Sequence, residues 1–192
     1  MWTVEILRDL ILLILDKLKN GIPAITSDFG GVLAETGAIC FESVNHKNGV
    51  ELNVSVSSED GSFDVKCPVF WQDVTDQMRS CYGDLEFTTE HGAYGVAILL
   101  ILSLTDYTVI ERSRKGTGFD YWLGRKDDVL FQKSARLEVS GIRNGDIDAI
   151  RAKVRARVKT KLNQVRRSDE LGLPAFIVVV EFSNPLSQVV QR

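Results

Sequence analysis

Hydrophobic and polar positions divide the 192-residue chain into two unlike halves. Apolar side chains circle most of a helix from Val4 to Leu18, and Asp16, Lys17 and Lys19 close it before Asn20-Gly21. The stretch GIPAITSDFGGVLAETG, rich in Gly, Ser, Thr and Asp, reads as a loop. AICFESVN and VELNVSVS follow as two strand-like runs, joined through a turn at Asn48-Gly49. FDVKCPVFW adds a third strand, ended by Pro68, and a short helix is expected around Trp71–Tyr82 with Asp73 or Thr75 near its start.

From Thr88 the pattern changes. TTEHGAYGVAILLILSL is apolar on all sides, which predicts a central helix covered by several neighbours. Thr88 or Thr89 is placed to cap it, with Glu90 in the first turn, where the helix dipole favours an acid. YTVIERS, GTGFDYWL and ARLEVSGI read as three strands. In the last of them Arg136, Glu138 and Ser140 alternate with Leu137 and Val139, so the three polar side chains share one face. Asp146 caps a long helix in which Ile147, Ile150, Val154, Val158, Leu162 and Val165 form one core-facing stripe. FIVVVEF has the β-branched composition of a strand buried on both faces, and the tail SNPLSQVVQR reads as irregular. A helix between LEVSG and FIVVVEF is a crossover, so those strands are expected to be parallel with a right-handed connection. The predicted fold is α+β: an αβββαβ core with a mixed central sheet over residues 85–192, preceded over residues 1–84 by a helix and a β-hairpin layer.

Composition narrows the class. With 44% hydrophobic and 26% charged residues the chain has an ordinary globular balance. The net charge of −3 hides an asymmetry: residues 107–167 carry 16 Lys+Arg against 7 Asp+Glu, and the remainder 7 against 19. A basic C-terminal half suggests a face for a polyanion, and a solvated basic helix is the simpler alternative. Cys40, Cys67 and Cys81 are odd in number and lack metal-ligand spacing, so they read as free thiols of a reducing compartment. Leu10–Leu15 is too short to span a bilayer, and the length of Ala93–Leu104 suits a buried helix, which makes a cytoplasmic protein without a membrane partner the expectation.

Two acids stand out chemically. Asp120 and Glu138 each sit alone in an extended run, and a carboxylate inside a sheet is costly unless a cation meets it. If the connection between the two strands is centred on Val129, the acids oppose each other and point to one face. A tight turn at Arg125-Lys126 would instead place Glu138 opposite Arg114. The pair then reads either as a divalent-metal cluster or as acids in salt bridges, Asp120 with Arg112 or Arg136 and Glu138 with Arg136 or Lys133. Two histidines, His46 and His91, are too few for a zinc site or a Ser–His–Asp arrangement. Glu181, at the end of the apolar strand, is expected to reach solvent.

The αβββαβ order, together with Glu90, the Asp120 of GFD and the Glu138 of LEVS, resembles the restriction-endonuclease-like PD-(D/E)XK nuclease superfamily over the C-terminal half of the chain. The resemblance implies a metal-dependent nuclease acting on DNA or RNA phosphodiesters, with Asp120, Glu138 and Glu90 around Mg2+, or Mn2+ in its place. Ser140 stands where the motif has lysine, and no Pro precedes Asp120 directly. The resemblance allows that lysine to come from elsewhere, including the following helix, which points to Lys153, with Lys115 and Lys133 behind it. Arg112, Arg114, Lys115, Arg151, Arg155 and Lys159 are expected to hold nucleic-acid phosphates without reading sequence. The missing motif lysine keeps open the alternative of a non-catalytic nucleic-acid-binding or assembly subunit. A homodimer or protein partner engaged through the N-terminal region is a further expectation.

Overall fold

The computed structural model describes residues 11–127, 132–145 and 149–192. Eight strands, β1 (Leu13–Ile14), β2 (Val50–Ser58), β3 (Gly61–Phe70), β4 (Tyr107–Arg112), β5 (Tyr121–Arg125), β6 (Ala135–Ile142), β7 (Ala175–Glu181) and β8 (Leu186–Gln191), form one mixed sheet. Their spatial order is β1-β3-β2-β8-β7-β6-β5-β4. Four α-helices accompany them: α1 (Ser27–Glu42), α2 (Asp76–Cys81), α3 (Leu85–Leu104) and α4 (Ile150–Val165). The protein is thus α+β, and α3-β4-β5-β6-α4-β7 follow one another as helix, three strands, helix, strand. β4, β5 and β6 form an antiparallel meander, while β6 and β7, joined through α4, are parallel.

β7 shows why a continuous apolar run is needed at the centre. Phe176, Val178 and Val180 pack into the cluster that holds α3, whereas Ala175, Ile177 and Val179 pack into the cluster that holds α4. The two helices therefore cover opposite faces of the sheet. α3 is long and apolar enough to cross a membrane by length and composition, but its residues from Gly92 to Ile101 are buried inside the protein. The N-terminal hairpin joins the same sheet edge to edge, through the parallel pairing of β2 with β8.

Several local expectations differ from the structure. The loop expected at GIPAITSDFGGVLAETG and the strand expected at AICFESVN are largely one helix, α1, whose cap is the Thr26 hydroxyl accepting from the Phe29 amide at 3.2 Å. Its glycines misled the reading, because they serve close packing. A Cβ on Gly30 would lie 2.0 Å from the Leu18 carbonyl oxygen, and one on Gly95 of α3 2.9 Å from that of Leu33. Low helix propensity is here overridden by tertiary contact. Asn48-Gly49 consequently links a helix to a strand, and the hairpin is β2–β3, turning at Glu59-Asp60. Pro68 does not end β3; it faces Glu51 and the strand runs on to Phe70. In place of an N-terminal helix, Leu13–Ile14 pairs with β3 and Leu15–Asn20 is a 3-10 turn, while residues 1–10 lie outside the described residues. Asp84, not Thr88 or Thr89, caps α3, so Glu90 sits in the second turn. The tail is β8, because a strand there satisfies the open edges of both β7 and β2. Asp146 and Ile147, expected in the first turn of the long helix, lie outside the described residues.

The crossing of Leu18 over Gly30 gives the first prediction. Gly30→Ala forces a methyl group into backbone that cannot step aside, and should cost about 1–3 kcal/mol, lowering the melting temperature by roughly 3–10 °C in a thermal melt. Gly31→Ala, with open space around its Cβ position, should leave the melting temperature unchanged or raise it slightly.

Candidate active site

β5 pairs with only the first three residues of β6, Tyr121 lying opposite Leu137. Asp120 extends the ladder by one bond, its N–H donating to the Leu137 carbonyl at 2.8 Å. Continued by that step, the register sets Asp120 opposite Glu138, as a connection centred on Val129 requires; Val129 itself lies outside the described residues. Beyond this point the edge of β6 is open to side chains. The Val139 N–H turns to that edge and donates to Asp120 Oδ2 at 2.8 Å, instead of meeting a phosphate or water. In a strand the N–H and C=O of one residue share an edge, so the Val139 carbonyl faces the same way.

From α3, Tyr94 reaches the pair. Its hydroxyl lies 2.9 Å from Asp120 Oδ1 and 2.8 Å from Glu90 Oε1, and its single proton serves one of them at a time. Burial, then the Asp120 and Glu90 charges, hold the Tyr94 phenol far above the usual tyrosine range, so it stays a neutral donor. Arg112 backs it, donating to the Tyr121 hydroxyl at 2.8 Å and lying over the Tyr94 and Tyr121 rings, 4.8 and 5.0 Å from their centroids. Arg112, expected to hold nucleic acid, is exposed and engages the Tyr94 and Tyr121 rings and hydroxyls, and Glu90 joins the acid pair through Tyr94.

From α4, Lys161 Nζ stands 2.5 Å from Glu138 Oε1, and Gln164 donates to the same oxygen at 3.0 Å. Glu138 is 1% exposed, and its other oxygen, Oε2, is buried and meets no donor among the described residues, with the Asp120 carboxylate as its neighbour. Burial, reinforced by the neighbouring Asp120 carboxylate, pushes the Glu138 carboxyl well above the usual carboxylate range, and Lys161 offsets this only in part. A cleft of about 520 Å3 opens beside the pair, between the start of α3 and α4, and is lined by Glu90, Ser140, Arg143, Arg157 and Lys161 among others.

The lysine expected at the site, Lys153, is elsewhere: it donates to the Asn144 carbonyl at 2.7 Å. Lys161 lies eight residues further on, about 12 Å along the helix axis, where α4 passes Glu138. Lys133 pairs with Glu111 at 2.8 Å, and Arg114 and Lys115 are exposed before β5. Arg151 and Arg155 line a separate cavity on the other flank of α4, with Ser55 and Gln188, and Lys159 is exposed. Arg136 takes neither acid: it is buried and donates to the Ser168 carbonyl and hydroxyl at 2.6 and 2.7 Å and to the Leu173 carbonyl at 2.6 Å, tying down the chain after α4. Glu181, expected in solvent, is fully buried, because the amides of Ser183 and Asn184 and the Ser183 hydroxyl donate to it. Tyr94 and the Arg157–Lys161–Gln164 flank escaped the sequence reading. Both carry a helical signal: Tyr94 is four residues from Glu90, and 157, 161 and 164 share one stripe.

Among the described residues no three His, Cys, Asp or Glu side chains converge as a metal cluster. The donors that do converge are nevertheless hard oxygens. Two opposed carboxylates, one of them buried, and the Val139 carbonyl on the same edge suit a divalent cation that completes its shell with water. Comparison with protein-family models, curated proteins and solved structures returned no match.

The acid pair sets a pH dependence. Native Glu138 holds its proton more tightly than the unfolded chain, so its contribution to stability is lost as pH rises from the unfolded carboxylate value of about 4.3 through the raised native one. Glu138→Gln, which mimics the protonated acid, should therefore raise the metal-free melting temperature by about 2–6 °C at neutral pH and show no gain near pH 4–5. An equal loss of stability at both pH values would mean that the Lys161 ion pair outweighs burial and the Asp120 charge.

Proposed function

We propose that the protein is a metal-dependent nuclease hydrolysing phosphodiester bonds of DNA or RNA, with Asp120 and Glu138 as the metal-holding pair and Lys161 as the cation beside it. The observation that carries this reading is the buried Glu138 carboxyl group facing a second carboxylate, Asp120, at the edge of a cationic cleft.

Mg2+ or Mn2+ held there would supply a more acidic bound water and charge neutralisation at the phosphate. The chain supplies the rest. The Val139 amide and the Tyr94 hydroxyl fix both oxygens of Asp120, so the carboxylate is oriented before any ligand arrives. Gln164 and Lys161 do the same for Oε1 of Glu138. The Lys161 ammonium lies at the cleft, where negative charge grows on the phosphate oxygens during attack, so it takes the part of the motif lysine that Ser140 replaces. Glu90, exposed and joined to Tyr94, is available to a water of the outer shell.

One observation favours the rival reading of a non-catalytic nucleic-acid-binding subunit. Asp120 and Glu138 Oε1 are already satisfied by Tyr94, Val139, Lys161 and Gln164, as acids of a retired site would be. Incubation with plasmid, single-stranded DNA and RNA in Mg2+ or Mn2+ separates the two. The nuclease reading expects cleavage that falls at least about a hundredfold in Asp120→Asn, Glu138→Gln and Lys161→Met, and that stays near wild type in Lys153→Met. Binding of nucleic acid without metal-dependent cleavage would establish the rival.

A further inference from the structure

Arg143 and Arg157 take no part in holding the acid pair, yet both face the same cleft. Arg157 extends from α4 and donates to the Ser140 hydroxyl at 3.1 Å. Its guanidinium therefore stands over the position where the superfamily resemblance places a lysine. Arg143 follows the end of β6 and lines the cleft, and its Nη1 is buried with no hydrogen-bond partner among the described residues. With Lys161 these residues bring three cations to a cleft whose lining acids are Glu86 and Glu90. A volume of about 520 Å3 is room enough for a phosphate and the nucleotide that carries it.

We infer that Arg143 and Arg157 form a phosphate seat beside the acid pair. It would hold the backbone phosphate next to the one attacked. The inference rests on the nuclease reading for the position of the attacked phosphate, and adds two residues that bind the neighbouring one. Planar guanidinium forks suit the paired oxygens of a phosphate, and an arginine already braced by Ser140 loses less freedom on binding than a free one.

The test is fluorescence anisotropy with a labelled twelve-nucleotide single-stranded DNA, in EDTA, over a series of salt concentrations. Arg143→Gln and Arg157→Gln should each weaken binding about tenfold at low salt and reduce the slope of log affinity against log salt by about 0.7, with Arg157→Lys keeping most of that slope. Lys66→Gln, on β3, should change neither quantity. A double Arg143→Gln, Arg157→Gln protein with the wild-type slope overturns the seat. Cleavage measured in Mg2+ on the same proteins keeps the two ideas apart. Arginine-dependent binding without cleavage leaves the seat standing and removes the nuclease; cleavage with arginine-independent binding does the reverse.

Discussion

Everything at the functional end of this molecule is arranged around two carboxylates that repel each other. Asp120 and Glu138 are brought together because β5 stops one residue short of the open stretch of β6, and each is then fixed from a different side of the sheet. Tyr94 on α3 orients one, and Lys161 with Gln164 on α4 orients the other. Burial first, and then the Asp120 charge, raise the affinity of Glu138 for a proton, and Lys161 offsets this only in part. The protein tolerates it because the rest of the sheet is built to spare: a central strand buried on both faces, two covering helices, and a hairpin that lengthens the sheet at its far edge.

On the proposed nuclease reading a cation would relieve this repulsion at the carboxylates, and a phosphate would meet Arg143 and Arg157 in the same cleft. Ser140 lies between the two, its small hydroxyl accepting from Arg157 while Lys161 takes the Glu138 carboxylate.

The C-terminal half was legible because its signals were local and strong. The alternation in ARLEVSGI, the β-branched run FIVVVEF and the crossover helix between them indicate strand faces and direction, while the opposition of Asp120 and Glu138 depends on the β5–β6 register, which the sequence leaves open between two turns and the structure resolves. The first half was much less so. In α1 the glycines that let Leu18 and α3 approach closely look in one dimension like a loop, and in β8 a short polar-flanked run becomes a strand only because two open edges flank it. That Lys161 and not Lys153 lies beside Glu138 has a geometric reason. Choosing Lys153 assumed that the start of α4 lies over Glu138, whereas the helix crosses the strand nearer its C-terminal end. Glu181 was misjudged because a turn that folds back on a strand end can satisfy a carboxylate with amides alone.

The most direct test of the account is a Mn2+ titration followed by electron paramagnetic resonance, which reads bound metal without requiring substrate or turnover. The account predicts saturable binding by the wild-type protein that tightens as pH rises and Glu138 loses its proton, and that is lost in Asp120→Asn and in Glu138→Gln. Wild-type protein that leaves Mn2+ free, or variants that bind it as the wild type does, would contradict it.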